Sequence, residues 1–522
     1  MLRYLLCLGL LIATGQLTQA ADPLPLKLRY RQETAEGTGR FHTLQREENW
    51  APEKTALILC DVWDTHTCRH AAMRVEELVP RLNKVVEFAR QQGVTIIHAP
   101  SGCMNSYATH PARLRAQQVP GVATYPEEIA QWCYQIPSEE RGVYPLDQSD
   151  GGCDDEAQEH ADWSAKLVAE GRNPKGPWLF EHATISIDGE RDFISDQGKE
   201  VWNILSTIGI DHVILAGVHT NMCVLGRPFG LRQMARNGKN VVLLRDMTDT
   251  MYNPAMRPFV SHFTGTDLII EHIEKFVCPT ITSEQLIGGA EFRFQNDHRP
   301  HLAVLCAEDE YRTEESLPKY ALEELGHDYR VSFVFGSETD KGDLPGLFAL
   351  DTADALLVSV RRRPLQAAEL AQIQKYVRSG KPVIGIRTAS HAFCLRNQPA
   401  PEGLADWPEF DPEVFGGHYT NHHGNNLQTT VHVTGGGPVL EGIDRADFAA
   451  GGSLYKTSPL ASGTTVLLTG TVEGAEAEPV AWTFQRAGGG KSFYTSLGHV
   501  ADFEQPAFRQ LLKNGIKWAL SK

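Results

Sequence analysis

Short apolar runs that alternate with longer amphipathic stretches constrain the fold of this chain more than any other feature. Such alternation is typical of parallel strands connected by helices that cover the sheet. The strand candidates lie at residues 55–60, 94–99, 183–187, 212–217 and 240–246 in a first series, and at 301–307, 330–336, 355–360 and 381–388 in a second. Helical periodicity occupies residues 80–93, 197–209 and 364–380. The sequence therefore predicts an α/β protein with two doubly wound parallel-sheet domains.

The pattern breaks between the two series, in the stretch "CPTITSEQLIGGAEFRFQNDHRP". We therefore predict a first domain over residues 22–280, a linker over 281–298 and a second domain over 299–522.

Residues 100–180 carry Gly, Pro, Asp and Trp without a clear period, and we expect them to form an insertion above the first sheet. Trp132, Trp163 and Trp178 in this insertion need apolar cover. A neighbouring domain or a second subunit is the expected source of this cover, and in the second case the chain would form a homo-oligomer.

The N-terminus, "MLRYLLCLGLLIATGQLTQAADPLPL", has one Arg, a short apolar run and small residues at Ala20 and Ala21. This is the pattern of a signal peptide, predicted over residues 1–21, because the run is too short for a membrane-spanning helix. We expect export to a periplasm or beyond, with no membrane association after the signal is removed.

The cysteines show no framework of their own. Ten occur in the sequence, and nine remain once Cys7 is removed with the signal peptide. There is no CxxC pair, and Cys133 with Cys153, on either side of a polar stretch, is the one bridge that the spacing suggests.

The formal net charge of −16 argues against a nucleic-acid partner or an anionic membrane surface, since both require clustered Lys and Arg. A small-molecule substrate is the expected partner.

The segment "GVHTNMC" (217–223) suggests a catalytic thiol. In open α/β sheets, sites form beyond the carboxyl ends of the strands, where Asp61 and Cys223 are both expected. A thiol at the start of a helix meets unpaired N–H groups that favour the thiolate, and a nearby carboxylate could accept its proton. Taken alone, a Cys beside apolar residues is more often a buried, inert thiol than a nucleophile.

With "GVHTNMCV", the Asp after the first strand and the later "NVVLLRDMTDT", residues 50–280 resemble the isochorismatase-like cysteine hydrolases, a superfamily that includes nicotinamidases and N-carbamoylsarcosine amidases. The resemblance implies that Cys223 is the nucleophile and Asp61 the base. It also implies a cis peptide at Val218–His219, with the backbone N–H groups of His219 and Cys223 aimed at the oxyanion.

One part of the family pattern is missing. The family places a Lys just after the third strand, but no Lys lies between Lys175 and Lys199, and Arg191 is the nearest cation. Three alternatives follow: Arg191 supplies the charge, the chemistry differs, or the domain is a non-catalytic binding relative. Arg can hold a charge but does not readily donate a proton.

Further polar residues are candidates for the substrate pocket, namely Asp64, His66, His98 and Asn221. With Asp61, three of them could also bind a divalent metal, as nicotinamidases do with an Asp and His set. The family's metal motif lies elsewhere, so hydrogen bonding is the favoured role and no cofactor is expected to be required. The acidic segment "SDGGCDDE" (149–156) lacks the EF-hand pattern and is predicted to be a solvated turn.

The motifs "KPVIGIRTASHAF", "FGGHYTNHHG" and "KSFYTSLGHVADFEQPAFRQLLKNGIKWAL" resemble the trehalose-utilisation (ThuA-like) family over residues 299–521. That family shares the flavodoxin-like fold of class I glutamine amidotransferases. Their nucleophilic Cys is replaced here by Thr388, Ser390 and His391, so glutaminase chemistry is not predicted. The residues expected to gather at a carbohydrate or metal pocket, or at a polar rim, are Ser390, His391, His418, His422 and His499.

Together these observations predict an exported, amidase-type cysteine hydrolase that acts on a small C–N substrate through a Cys223 acyl-enzyme. The alternative is a non-catalytic secreted protein that binds a small ligand with two enzyme-like domains.

Overall fold

The computed structural model describes residues 22–521, and the predicted signal peptide lies outside the described residues. The first sheet consists of β1 Leu24–Glu33, β2 Phe41–Trp50, β3 Thr55–Cys60, β4 Thr95–Ala99, β5 Phe193–Ile194, β6 His212–Val218, β7 Asn240–Asp249 and β8 Thr280–Ile281. Its helices are α1 Arg69–Gln92, α2 Pro111–Gln118, α3 Ala157–Ala169, α4 Gly198–Ile208, α5 Leu231–Arg236, α6 His262–Phe276 and α7 Glu284–Ile287. The strand order is β2-β1-β8-β7-β6-β3-β4-β5, and the pairs from β8 to β5 are parallel.

The strands of the second domain are β9 His301–Ala307, β10 Arg330–Phe335, β11 Ala355–Val360, β12 Leu365–Gln366, β13 Val383–Ile386, β14 Leu404–Ala405, β15 Asn421–His422, β16 Thr430–Val433, β17 Phe448–Ala449, β18 Tyr455–Lys456, β19 Thr464–Thr471, β20 Glu478–Gln485 and β21 Lys491–Thr495. Its helices are α8 Thr313–Tyr320, α9 Ala367–Arg378 and α10 Pro506–Leu520. The main sheet has the order β10-β9-β11-β13-β21-β20-β19-β16-β17; its first five strands are parallel and the rest antiparallel. The predicted α/β class is confirmed, with antiparallel strands added to a parallel core in both sheets.

The strand predicted at 183–187 is wrong. This segment is a loop whose backbone is held at His182 by a hydrogen bond to the Val62 carbonyl, and the place beside β4 is taken by β5. The β propensity of residues 183–187 does not produce a strand, because only one strand can occupy the edge next to β4 and β5 occupies it.

Helix α1 begins well before the predicted start at Pro80. That proline lies inside the helix, whose buried face includes Val75, Leu78, Val79 and Leu82 on both sides of it. Burial of this continuous apolar face offsets the backbone hydrogen bond that Pro80 cannot make. None of the helices among the described residues is long and apolar enough to span a membrane.

The first domain extends beyond residue 280. Strand β8 pairs with β7, and α7 packs against α1, so the segment that connects the two sheets is 288–300 and is shorter than the predicted linker. The hairpin of β1 and β2, which strand periodicity did not identify, lies at the edge of the first sheet, where β2 contacts β10 of the second domain.

Gly217 determines how closely the carboxyl ends of β3 and β6 approach. It has a φ of +111°, and a Cβ atom at this position would lie 2.1 Å from the Cys60 carbonyl oxygen. Only glycine fits both the conformation and the space. The close approach brings Asp61, after β3, to the same sheet edge as the turn that follows β6.

Candidate active site

Asp61 is held in a fixed position by the backbone and by two donors. It directly follows β3 with a φ of 50°, and its side chain is fully buried. The Ser101 backbone N–H donates to its Oδ1 at 2.7 Å, and Arg227 Nε donates to its Oδ2 at 2.9 Å. Burial raises the pKa of Asp61, although Arg227 and the Cys223 thiol oppose this shift. The result is an oriented carboxylate with a raised proton affinity.

Cys223 lies next to this carboxylate, in the short helical turn Thr220–Val224 that follows β6. Its thiol lies close enough to Asp61 for the carboxylate to raise its pKa, and only 8% of the residue is exposed. The turn is anchored because Thr220 Oγ1 bonds both the Thr248 hydroxyl and the Asp249 carbonyl. Burial, followed by repulsion from the Asp61 carboxylate, raises the pKa of Cys223, so the resting thiol is neutral at pH 7.

The Val218–His219 peptide bond, expected to be cis, is cis in the structure. It leaves the His219 backbone N–H beside the Cys223 sulfur, where its hydrogen bond lowers the pKa of the thiol against the larger effect of burial. The His219 ring is buried 4.7 Å from the His66 ring, and burial keeps the pKa of His219 well below its ordinary value.

The positive charge at this site comes from Arg227, not from Arg191. Arg191 is 61% exposed and pairs with Asp188 at 2.7 Å, so the predicted substitution for the family Lys is wrong. Arg227 lies one helical turn after the nucleophile, and its backbone N–H donates to the Cys223 carbonyl at 3.0 Å. Its guanidinium also lies 5.2 Å from the Trp132 ring centroid. The sequence contains this signal as "CVLGR" (223–227), which lies far along the chain from the region after the third strand, where the family Lys is expected.

Cys223 opens onto a cavity of about 650 Å³. Its aromatic walls are Trp132, Tyr134 and Tyr144 from the insertion. Gln148 also lines the cavity, and its Nε2 is buried with no hydrogen-bond partner among the described residues. A buried amide donor without an acceptor is costly, so a ligand carbonyl or carboxylate would be favoured beside it.

A buried ionic network forms the far side of the cavity. Arg232 donates to both carboxylate oxygens of Glu139, at 2.8 and 2.7 Å, and His272 Nε2 lies 2.9 Å from Oε1. Burial alone would raise the pKa of Glu139, but the bonds to His272 and Arg232 prevail and lower it to about 2. Arg232 and Glu139 neutralise each other, so this wall of the cavity is polar but these two residues present no unpaired charge to a ligand.

Three of the predicted pocket residues do not line this cavity. His98 is buried between Glu181, at 2.7 Å, and Asp192, at 3.2 Å, and these carboxylates outweigh burial and raise the pKa of His98 to about 9. Asp64 pairs with Arg172.

The third, His66, stacks against Trp178, and burial lowers its pKa to about 4. The polar groups of all three are already engaged: His98 by Glu181 and Asp192, Asp64 by Arg172, and His66 Nδ1 by the Cys68 backbone N–H. His98, Asp64 and His66 do not converge on a metal site. Asn221, the fourth predicted pocket residue, does line the cavity, but its side-chain amide is hydrogen-bonded to the Met251 backbone.

The rest of the first domain covers the tryptophans of the insertion. Trp178 stacks on Trp63 with ring centroids 4.2 Å apart, and Trp163 Nε1 donates to the His66 carbonyl at 2.9 Å. Trp132 packs under Arg227. The expectation that another domain or subunit must cover them is therefore wrong, since the same domain supplies the contacts, and homo-oligomerisation stays a prediction.

The second domain has a separate cavity of about 620 Å³ after β13, lined by Ser390, His391 and His418 of the predicted set. His422 and His499 do not line it: His422 bonds the His423 carbonyl at 2.7 Å, and His499 caps a helical turn by accepting from the Ala501 N–H. The His422 and His499 side chains do not join the others at the cavity, because each is hydrogen-bonded to a nearby backbone group.

Sequence reasoning missed two residues of the second cavity. Tyr419 stacks on His391 with centroids 4.4 Å apart, and burial, followed by the charges of nearby arginines, keeps the pKa of His391 well below its ordinary value. Asp411 is buried with its Oδ1 unpartnered, and burial raises its pKa to about 7. Tyr419 stands within the motif "FGGHYTNHHG", next to His418, whereas Asp411 lies outside the motifs that carry the resemblance.

Comparison with known proteins gives a family for the second domain. Residues 301–519 match the family model described as ThuA, trehalose utilisation, which confirms the predicted resemblance for this domain. No curated protein matches the chain.

Similar solved structures correspond to each domain type. A ThuA-like protein from Bacteroides uniformis is 18% identical, with 45% of this chain and 96% of that chain covered and a TM-score of 0.33. A cysteine hydrolase from Pseudomonas syringae pv. phaseolicola is 14% identical (45% and 92% covered, TM-score 0.27). An isochorismatase family protein from Burkholderia thailandensis is 12% identical (45% and 94% covered, TM-score 0.25). At these TM-scores the likeness carries no functional inference.

Proposed function

We propose that the first domain is a cysteine hydrolase that cleaves the C–N bond of a small amide-type substrate. The observation that carries the proposal is a single buried carboxylate, Asp61, that contacts both the Cys223 thiol and the Arg227 guanidinium. A thiol, a base and a fixed positive charge beside a cavity are the groups that acyl transfer needs.

The reaction starts from a neutral thiol. Asp61 accepts the proton of Cys223 as the sulfur attacks the substrate carbonyl carbon, and the resulting tetrahedral intermediate collapses to a thioester. The C–N bond breaks as Asp61 returns the proton to the leaving nitrogen. Water then attacks the thioester, Asp61 takes its proton, and the acid product leaves as the thiol is protonated again.

Arg227 stabilises negative charge without taking part in proton transfer. Since an Arg does not readily lose its proton, its role differs from that of a Lys that could donate one. It offsets the negative charge that moves between Asp61 and the sulfur. The backbone N–H groups of His219 and Cys223 are the proposed oxyanion donors, a role supported by the position of His219 beside the sulfur.

The alternative, a binding protein without turnover, rested on the missing Lys. Arg227 weakens it, because a cation contacts the proposed base even though it comes from a different element of the fold. We further propose that the chain acts after export, on the basis of the N-terminal sequence, and that the second cavity binds a carbohydrate-related ligand, on the basis of its family and its Tyr419 and Asp411 side chains.

A panel of small primary amides and ureido compounds tests the hydrolase proposal with the full chain. We expect release of ammonia, and an acyl adduct located at Cys223 by mass spectrometry, with both lost in Cys223→Ala. Panel members that raise the melting temperature of the protein but neither acylate Cys223 nor release ammonia would favour the binding protein instead.

A further inference from the structure

Two cysteines, a carboxylate and an imidazole meet at the start of α1, away from the Cys223 cavity. Cys68 Sγ lies 3.2 Å from Asp155 Oδ1, and Cys153 Sγ lies 3.7 Å from His160 Nδ1. His160 Nδ1 lies 3.1 Å from Asp155 Oδ2. The ligand atoms of Cys68, Cys153 and Asp155 all lie within 4.8 Å of one another.

These separations, 3.1–3.7 Å, are within a few tenths of an ångström of those in a tetrahedral zinc site. Zinc binds Cys sulfur at about 2.3 Å, His nitrogen at about 2.0 Å and carboxylate oxygen at about 2.1 Å, so neighbouring ligands around it lie roughly 3.3–3.8 Å apart. We propose that Cys68, Cys153, Asp155 and His160 form a binding site for a thiophilic divalent cation of the zinc class. Four protein ligands would leave no open position, which is the arrangement of a structural site.

The carboxylate is already oriented for this role. Asp155 Oδ2 accepts the Arg69 backbone N–H at 2.8 Å, and Oδ1 accepts the His70 N–H at 2.9 Å, so Asp155 caps α1. Each oxygen has two lone pairs, and one bond to the helix leaves room for a cation. Outer hydrogen bonds of this kind fix the direction of a metal ligand before the metal binds.

Asp154 Oδ1 lies 3.5 Å from Cys68 Sγ and His70 Nδ1 lies 3.7 Å from Asp155 Oδ1, but the shorter bonds of both residues are to other partners. Arg74 forms two hydrogen bonds with Asp154, at 2.8 and 3.0 Å, and so neutralises it. The two ring nitrogens of His70 lie 3.1 Å from the Asp154 carbonyl and 3.1 Å from Glu159 Oε2. His160, in contrast, has a side chain that is 44% exposed and can adjust towards the sulfurs. It is therefore the imidazole that completes the set.

The cluster also corrects two sequence expectations. The bridge suggested between Cys133 and Cys153 is not formed, because Cys133 Sγ faces the Gln135 carbonyl at 3.5 Å. The segment 149–156, expected to be a solvated turn, is exposed at residues 149–151 and 156, but within it the side chain of Asp155 is 0% exposed. Spacing missed the cluster because its ligands come from two distant stretches of chain.

A bound cation would stabilise the wall of the active-site cavity. It would link the start of α1 to the insertion just after Gly152, where a Cβ atom would lie 2.4 Å from the Met251 carbonyl oxygen. Met251 in turn holds the side chain of Asn221, two residues before the nucleophile. The site is proposed from its own ligands and does not depend on the hydrolase proposal.

Zinc binding to the full, reduced chain tests the site. After treatment with a chelator, the protein is titrated with Zn²⁺, and with Co²⁺ for its thiolate charge-transfer band. We expect one tightly bound equivalent and a band typical of two sulfur ligands. Cys153→Ser should lower the affinity by about 100-fold, and His160→Ala, at a half-exposed position that does not disturb packing, by about tenfold. Cys394→Ser, in the second domain, is the matched control and should bind as the unaltered chain does.

Three results would overturn the proposal. The reduced chain could bind no zinc, or zinc could bind equally well to Cys153→Ser and His160→Ala. Alternatively, peptide mapping without reductant could show that a Cys68–Cys153 disulfide is the stable form and that its reduction creates no affinity for metal. Circular dichroism of each variant separates a loss of ligands from a loss of fold.

Discussion

Asp61 in the first domain and Arg387 in the second occupy the same kind of position. Each is the first residue after a central parallel strand, and each has a left-handed backbone, with φ of 50° and 45°. Asp61 contacts a thiol beside a cavity. Arg387 instead lies between two tyrosines, 4.7 Å from the Tyr311 ring and 4.2 Å from the Tyr455 ring, and donates to the carbonyls of Ser453 and Ser496.

A residue with a left-handed backbone directly after a strand therefore marks a possible functional site, but its backbone conformation does not determine which reaction the site performs. In the first domain the next element brings a nucleophile and a cation to the carboxylate. In the second domain the same position holds a guanidinium that cannot act as a nucleophile, in agreement with the absence of a Cys at that turn. The partners supplied by other elements make the site.

The largest expected effect concerns the base. Asp61→Asn should lower turnover of the amide substrate by roughly 10²–10⁴-fold, because the thiol proton loses its acceptor. At the same time alkylation by iodoacetamide at pH 7 should become faster, since loss of the negative charge lowers the pKa of Cys223. Steady-state kinetics and mass mapping measure both changes in one preparation.

Arg387→Lys is the control for this comparison. It keeps the positive charge at the corresponding position of the second domain and should leave amide turnover unchanged. If it abolished turnover while the protein remained folded, the second domain would belong to the reaction and the contrast between the two positions would be broken.

An intermediate effect is expected from two buried carboxyls whose pKa values shift in opposite directions. The pKa of Glu139 is lowered to about 2, so its stabilisation is complete above the ordinary value of 4.5 and is lost as the pH falls towards 2. Glu139→Gln should therefore lower the free energy of unfolding at pH 7 by roughly 3 kcal/mol. Denaturant titration at pH 7 and at pH 3 measures the difference.

Asp411 in the second domain should behave in the opposite way. Its pKa is raised to about 7 from 3.8, so the folded state retains a proton that the unfolded chain loses. Its contribution to stability falls as the pH rises from about 4 to about 7, and Asp411→Asn should remove that decline. If the effects of Glu139→Gln and Asp411→Asn on the free energy of unfolding changed with pH in the same direction, the opposite pKa shifts of the two carboxyls would be contradicted.

The smallest effect should separate the two arginines of the first domain. Arg227→Gln should raise the pKa of Cys223 and shift the midpoint of the alkylation profile upward by about one pH unit. Arg191→Ala should leave the profile where it is, because its side chain is mostly exposed and pairs with Asp188. A shift in the Arg191 variant alone would instead support the alternative in which Arg191 supplies the missing charge.

The sequence by itself determined the α/β class, most strands of the parallel cores and the pair of Asp61 and Cys223. These follow from local patterns, since apolar runs of strand length and a Cys after a Gly-containing strand end can be read without knowledge of the rest of the chain. The edge strands, including the hairpin of β1 and β2 and the wrongly placed strand at 183–187, depended on which segment could pair with an existing edge.

The three-dimensional fold was needed to identify the cation that contacts Asp61 and the polar groups that already have hydrogen-bond or ion-pair partners. Arg227 meets Asp61 because the turn after Cys223 folds back over the end of β3, whereas His98 and Asp64 are bound by partners more than eighty residues away. The Cys68 and Cys153 cluster likewise joins two distant segments. A charge finds its partner through space, and a sequence without an alignment records only the residues and not the distances between them.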